Sequence, residues 1–233
     1  MARVVDPALH ARRREAIVGA AGRLFGEQGF ERTTVAQVAS AAGLSSGSVF
    51  YYFADKQALF RALFERDLPR AEALVARHEG SGDPFAAVLD VVAELAAEAE
   101  EPGASGMVVE LLRRIAHDPE LLDVVGRTSQ VVRDGLAGLL ARGIEAGTVD
   151  PELDPAEAAA WLENMVDAAY LGARPGHSPL PALHRTVTRY LAPVETDREA
   201  AATDGGATRA GRPTRVREVT RADRERENTD GRA

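Results

Sequence analysis

Hydroxyl, amide and aromatic side chains are concentrated between Thr34 and Phe53, in the segment TVAQVASAAGLSSGSVFYYF. Thr34 and Gln37 have the spacing of a helix-capping box, and Ser45 has a side chain preferred at the N-cap of a second helix. Between them, Gly43 is the residue type that tolerates left-handed dihedral angles after a last helical turn. The segment therefore predicts a helix, a tight turn and a second helix.

The second of these helices has a composition that a buried helix does not need. Its first turn offers two serines and a glycine, and its next turn offers three consecutive aromatic residues, which no single buried face can hold. Hydroxyls and free N–H groups at a helix N-terminus can meet phosphates and base edges, and aromatic rings can contact thymine methyl groups. The segment therefore predicts contact with double-stranded DNA. The predicted contact residues are Thr34, Gln37, Ser45, Ser46, Gly47, Ser48, Phe50, Tyr51, Tyr52 and Lys56.

Several of these residues also have a purely structural interpretation. Aromatic residues at helical spacing usually pack in a core, and for Phe50 that interpretation stands beside groove contact. Thr34 and Ser45 are caps in either case, because capping and phosphate contact both use the helix N-terminus. Lys56 follows Asp55, the expected cap of the next helix, so its ammonium is expected to face a bound phosphate. The alternative is a solvated surface lysine, which would be preferred without the motif around it.

The run TTVAQVASAAGLSSGSVFYYFADKQALFRAL resembles the DNA-binding domain of TetR-family transcriptional repressors. The shared pattern is a Thr-capped helix, an A-G-hydrophobic-S turn, a recognition helix ending in aromatic residues, and a lysine shortly afterwards. Tyr52 stands where the family has histidine, and its hydroxyl can still donate to phosphate. The resemblance covers residues 12–70 in detail. It implies a homodimer that reads a palindromic operator and is released by a small-molecule effector in the C-terminal domain.

Charge is unevenly divided along the chain, whose formal net charge is −8. Residues 1–70 hold ten basic and seven acidic residues, whereas residues 71–194 hold nine basic and twenty acidic ones. This division is typical of a DNA-facing domain joined to one that does not face DNA, since only the first must attract phosphate. The chain has no cysteine, no leader-like start and no apolar run of membrane-spanning length, which predicts a soluble, cytoplasmic protein.

Apolar residues recur at helical spacing and no alternating strand pattern occurs, which predicts an all-α fold. A first helix is expected from Arg13, and a fourth from Asp55, in which Pro69 forms a kink or begins a new segment. Asp followed by Pro, a helix-opening pair, occurs at 83–84, 118–119 and 154–155. The remaining helices are expected at 85–100, 105–116, 119–146, 155–173 and 181–191.

Four parts of the chain are predicted from these patterns. Residues 1–11 are a flexible N-terminal arm, and residues 12–70 are a three-helix, helix-turn-helix DNA-binding domain. Residues 71–193 form a helical effector-binding and dimerisation domain. Residues 194–233 are a disordered tail, because they contain too few apolar residues to bury a core.

Two roles are expected of the larger helical domain. Its apolar helix faces predict an effector pocket lined by Met107, Leu111, His117, Trp161, Asn164 and Met165, although such faces are more often plain core. The apolar stripe from Ala158 to Tyr170 is wider than a surface helix needs, so it favours either a subunit contact or an ordinary core. No metal site and no cofactor is predicted.

Two other functions are alternatives to an effector-responsive repressor. An enzyme finds little support, because the five histidines are scattered and no glycine-rich phosphate loop or serine-elbow motif occurs. His117 with Asp118 is the remaining catalytic candidate, and His117 is better explained as the end of a helix. An architectural DNA-binding protein without a ligand is disfavoured by the acidic helical half, which is too large to serve only as a dimer clamp.

Overall fold

A computed structural model describes residues 6–174 and 176–194 of the chain. Over these ranges it contains ten α-helices, one 3-10 turn and no strand, so the prediction of an all-α fold is confirmed. The helices are α1 Pro7–Gln28, α2 Val35–Ala41, α3 Ser46–Tyr52, α4 Lys56–Glu65, α5 Asp67–His78, α6 Pro84–Ala96, α7 Ala104–Ile115, α8 Pro119–Glu145, α9 Pro155–Gly172 and α10 Leu180–Leu191. The 3-10 turn, Ala97–Glu100, continues α6.

Some of the predictions concern residues that the structure does not describe. The start of the predicted N-terminal arm, residues 1–5, and nearly all of the predicted tail, residues 195–233, lie outside the described ranges. Among the helices within those ranges, none combines the length and the apolar character needed to cross a membrane.

Helix α1 begins six residues before the start predicted at Arg13. The side chain of Asp6 accepts hydrogen bonds from two backbone N–H groups of the first turn, at 3.0 and 3.4 Å, and Pro7 occupies the first helical position. This Asp-Pro pair is the same helix opening that correctly placed the starts of α6, α8 and α9. Residues 7–11, assigned above to a flexible arm, are therefore the first turns of α1.

The helix predicted from Asp55 is divided into α4 and α5 at Arg66. Asp55 caps α4 as expected, since its carboxylate accepts the N–H of Ala58 at 2.7 Å. Pro69 has no N–H to donate to the carbonyl of Glu65, four residues earlier, and α4 ends at Glu65. Of the two alternatives for this proline, a new segment is the one found.

Buried apolar side chains form two clusters. The first cluster contains residues of α1, α2, α3 and α4, and the second contains residues of α5, α6, α8, α9 and α10. Leu121, near the start of α8, is fully buried in the first cluster, so the long helix α8 takes part in both. In the N-terminal bundle Ile17, Phe25, Phe30, Val38, Val49 and Phe53 are buried, and Leu24 and Leu44 pack against them at partial exposure.

Helices α1 and α7 cross at three glycines. A Cβ atom at Gly106 would lie 2.1 Å from the carbonyl oxygen of Gly26, and a Cβ atom at Gly26 would lie 2.6 Å from the carbonyl oxygen of Gly103. These neighbours are backbone atoms, which cannot rotate away as a side chain can. The backbones of α7 and α1 are therefore in contact. Only glycine permits two helices to approach this closely.

We predict that Gly106→Ala lowers the free energy of unfolding by about 1–3 kcal/mol or more, because the added methyl group requires a backbone shift. Gly126→Ala is the matched control, since a Cβ atom there meets nothing within 4 Å. The control should raise stability by roughly 0.5–1 kcal/mol through helix propensity alone. Urea denaturation of both variants measures the difference, and equal stabilities would contradict the close crossing.

Candidate nucleic-acid interface and ligand cavity

The predicted helix-turn-helix is held by the caps that the sequence indicates. The Thr34 hydroxyl accepts the N–H of Gln37 at 3.2 Å, and the Gln37 side-chain carbonyl accepts the N–H of Thr34 at 2.8 Å. After the turn at Gly43, where φ is +68°, the Ser45 hydroxyl accepts the N–H of Ser48 at 3.2 Å. Both caps form within the segment itself, so α2 and α3 begin at defined residues without help from the rest of the chain.

Helix α3 divides its large side chains between the core and the surface. Val49 and Phe53 are only 1% and 6% exposed, and they attach the helix to the first apolar cluster. Phe50 and Tyr51 are 54% and 67% exposed. The interpretation of Phe50 as a core residue is therefore wrong. An exposed aromatic pair of this kind is typical of a contact surface.

The other predicted DNA contacts are accessible as well. Exposed positions are Thr34, Gln37, Ser45 and Gly47, and partly buried ones are Ser46, Ser48, Tyr52 and Lys56. Access is a necessary condition for DNA contact, and the individual roles stay predictions.

The N-terminal turns of α1 pack beside this surface, where the sequence analysis expected a flexible arm. The ring of His10 lies 4.6 Å from the ring of Tyr52 and 6.0 Å from the ring of Tyr51. Exposed Arg12 and Arg13 follow on the same helix. The signal was present in the sequence as the Asp-Pro opening at 6–7, which extends α1 past the side chains of α3.

Lys56 is already engaged within the protein. Its ammonium donates to the carbonyl oxygens of Phe30 at 2.8 Å and Thr33 at 3.1 Å, and it lies 4.1 Å from the centre of the Phe30 ring. An ammonium has three N–H donors, so one remains for a phosphate. Lys56 thus holds the turn between α1 and α2, and its phosphate contact stays a prediction.

A cavity of about 550 Å³ lies between the N-terminal bundle and the helices behind it. Gly22 of α1 and Leu63 of α4 form one wall, and residues of α7, α8 and α9 form the others. Two of the predicted pocket residues, Met107 and Leu111, line this cavity. A molecule bound there would touch both the DNA-binding bundle and the larger helical domain.

The other four predicted pocket residues, His117, Trp161, Asn164 and Met165, do not line this cavity. Helix α9 turns a different face toward it, made of Glu163, Val166, Asp167 and Tyr170. Trp161 is 51% exposed, Met165 packs against the second apolar cluster, and His117 lies between α7 and α8. The sequence pattern showed that α9 is apolar on a wide arc but not which part of the arc meets which neighbour.

The surroundings of two carboxyl groups in the cavity wall disfavour their charged form. Burial raises the pKa of Asp67 to about 6, although Arg66 and Arg70 act in the opposite direction. Burial, together with the negative charge of Glu163, also raises the pKa of Asp167. Within the described ranges, no group of three or more His, Asp and Glu side chains could hold a metal ion. The cavity thus combines apolar walls with carboxyl groups whose pKa is raised.

Comparison with known proteins gives matches to the helix-turn-helix region and to most of the chain. A family model described as bacterial regulatory proteins, tetR family, matches residues 17–63. The HTH-type transcriptional repressor Rv1474c of Mycobacterium tuberculosis is 27% identical over 179 residues, which cover 77% of this chain and 91% of that protein.

Solved structures share the fold. A TetR transcription regulator from Haloarcula marismortui has a TM-score of 0.66 at 23% identity, covering 78% of this chain and 97% of that one. The transcriptional regulator FadR from Bacillus subtilis, solved in complex with stearoyl-CoA, has a TM-score of 0.64 at 21% identity, covering 76% of this chain and 97% of that one.

The capped helix-turn-helix and these matches define a DNA-binding transcription regulator. Residues 17–63 belong to the TetR family of bacterial regulatory proteins. The family predicted from the motif is thereby confirmed.

We predict that Asp67→Asn raises the melting temperature more at pH 7.5 than at pH 4. Because the folded-state pKa of Asp67 lies near 6 and the ordinary value is 3.8, its protonated form favours the folded state. This stabilisation of the folded state by the protonated carboxyl group is complete below about pH 4 and is lost as the pH rises through 6. The amide of the replacement side chain cannot ionise, so the variant keeps its stability as the pH rises. Equal shifts in melting temperature at both pH values would contradict the assignment.

Proposed function

We propose that this regulator is a homodimeric repressor that reads a palindromic operator with α3 and is released when a small molecule fills the cavity. The observation that carries the proposal is the position of the cavity. Its walls come from α1 and α4 of the DNA-binding bundle and from α7, α8 and α9 of the larger helical domain. A ligand that favours one arrangement of these walls shifts the population of DNA-binding conformations.

The operator-facing surface is built from two kinds of residue. Exposed Phe50 and Tyr51 are the side chains that can reach base edges or thymine methyl groups in the major groove. The capped helix starts at Thr34 and Ser45 are suited to phosphate contacts, which position the protein but carry no sequence information. The basic balance of residues 1–70 supports the same assignment, because phosphate contacts dominate affinity.

The effector is proposed to be an amphipathic small molecule. The cavity volume of about 550 Å³ falls within the range of small-molecule sites, and its walls join apolar side chains with Arg23, Arg66 and several carboxyl groups. The structural neighbour FadR binds stearoyl-CoA. Acyl thioesters are therefore the first class of compound to test on this chain.

The subunit contact is proposed to use α9 and α10. Trp161 and Leu171, on the outer side of α9, are 51% and 48% exposed in the single chain. Tryptophan is enriched among residues that dominate interface energies. A homodimer that reads a palindromic operator needs its two copies of α3 about one turn of DNA, roughly 34 Å, apart.

The alternatives gain no support from the structure. The Asp118 carboxylate, part of the remaining catalytic candidate, accepts the N–H of Leu121 at 3.0 Å and pairs with Arg61 at 3.1 Å. Asp118 therefore caps α8 and fixes it to α4. For an architectural protein without a ligand, a cavity of this size has no use.

We predict that Phe50→Ala weakens binding to the selected operator by roughly 1–3 kcal/mol and changes binding to a scrambled duplex less. The operator is first obtained by selecting genomic fragments on the purified protein, and affinities are then measured by fluorescence anisotropy. Leu112→Ala is the matched control, because Leu112 is also exposed, at 59%, but lies on α7. If Phe50→Ala left the preference between the duplexes unchanged, α3 would not be the reading helix.

We predict that Trp161→Ala weakens the dimer by about 2 kcal/mol or more, which raises its dissociation constant roughly 30-fold. Sedimentation equilibrium of the native chain and the variant measures this change. Leu122→Ala, which removes another half-exposed apolar side chain at the start of α8, is the control and should leave the constant unchanged. An unchanged constant for Trp161→Ala would exclude the proposed contact.

A further inference from the structure

We infer that Arg114 couples the cavity to the DNA-binding helices by holding the turn between α1 and α2. This inference rests on the proposed effector-release function and names the residue that carries the signal. Arg114 is a positioning residue, since it lines neither the cavity nor the predicted DNA surface.

The contacts of Arg114 cross from the larger helical domain to the N-terminal bundle. Its guanidinium carbon lies 3.4 Å from the centre of the Phe30 ring, a close stacking distance. Its Nη1 atom pairs with the Glu31 carboxylate at 3.2 Å, and the Arg114 side chain is only 18% exposed. The Glu31 side chain is 82% exposed, so the ion pair adds little and the stack on Phe30 is the main contact. A shift of α7 is therefore transmitted to Phe30 through the stacked plane.

Phe30 and Glu31 begin the turn that leads to the operator-facing helices. Phe30 is 3% exposed and stacks on Phe25 with ring centres 5.2 Å apart. Lys56, at the start of α4, binds the carbonyl oxygens on both sides of this turn. The next residue after the turn, Thr34, caps α2. A displacement of Phe30 therefore changes the position at which α2 begins.

The proposed coupling begins at the cavity wall, which is formed in part by α7. Met107, Val108 and Leu111 line the cavity, and Arg114 follows Leu111 by three residues, which places the two side chains on neighbouring positions of one helix face. The glycine contact at Gly106 prevents α7 from moving closer to α1. A ligand that presses on α7 can therefore rotate or slide the helix, and either motion displaces Arg114.

The test uses a covalent surrogate, because the natural effector is unidentified. The chain contains no cysteine, so Val108→Cys introduces a single thiol in the cavity wall. Reaction with N-(1-pyrenyl)maleimide then fills the cavity with a bulky apolar group. Operator affinity is measured by anisotropy before and after labelling, in the native background and with Arg114→Ala. Circular dichroism confirms the fold of each species.

Labelling should weaken operator binding about 5- to 150-fold in the native background, the usual range of coupling between two sites. With Arg114→Ala, the same label should change the affinity by less than about threefold, a small part of that range. Arg114→Lys keeps the charge but loses the planar stack, and it should give an intermediate effect. Label placed at Ala146→Cys, an exposed position at the end of α8, should have no effect.

The outcomes separate the two proposals. If the label weakens binding equally with and without Arg114, the cavity controls DNA binding by another route and the role of Arg114 is overturned. If the label has no effect in the native background, the effector function of the cavity fails, and the coupling role fails with it. Arg127→Ala, which removes an arginine of an exposed α8 ion pair, should retain the full effect of the label. Loss of the effect there would show that the Arg114 result is not specific.

Discussion

The stacked contact between Arg114 and Phe30 joins the cavity-lining helix α7 to the N-terminal bundle at the turn that precedes α2. Phe30 belongs to the apolar cluster of the N-terminal bundle, whereas Arg114 lies in the last turn of α7, which lines the cavity. A guanidinium stacked over an aromatic ring is attracted to the ring face, and its plane covers apolar surface. Because the Arg114 side chain is only 18% exposed, this stack is part of the packed boundary between α7 and the N-terminal bundle.

A second connection ties the start of α8 to the same bundle. Arg61 of α4 pairs with Asp118 and Glu120 at 3.1 and 3.0 Å, and Leu121 is buried among the side chains of the first apolar cluster. Because Asp118 also caps α8, a change in α4 acts directly on the end of the longest helix. The N-terminal bundle thus depends on α7 and α8 for part of its core, which argues against treating it as an independent unit that ends at residue 70.

The sequence was most informative where a local interaction determines the structure. The caps at Thr34 and Ser45 and the Asp-Pro openings set helix starts through contacts within four residues, and these starts are found as predicted. The pocket could not be predicted in the same way. Met107 and Leu111 line the cavity but Trp161 does not, because lining depends on how α9 is rotated against α7 and α8. That rotation is set by contacts between residues far apart in sequence, which periodicity does not report.

Helix α9 shows what the wide apolar stripe means in physical terms. Its arc is divided among three environments: Leu162 is fully buried in the second cluster, Val166 borders the cavity, and Trp161 is half exposed. Since the core side of the helix is fixed by close packing, the cavity and the outer face can respond to each other only through motion of α9 as a rigid body. A ligand in the cavity and a partner on the outer face would therefore act on one helix. In the proposed homodimer, that shared helix would link effector binding in one subunit to the distance between the two copies of α3.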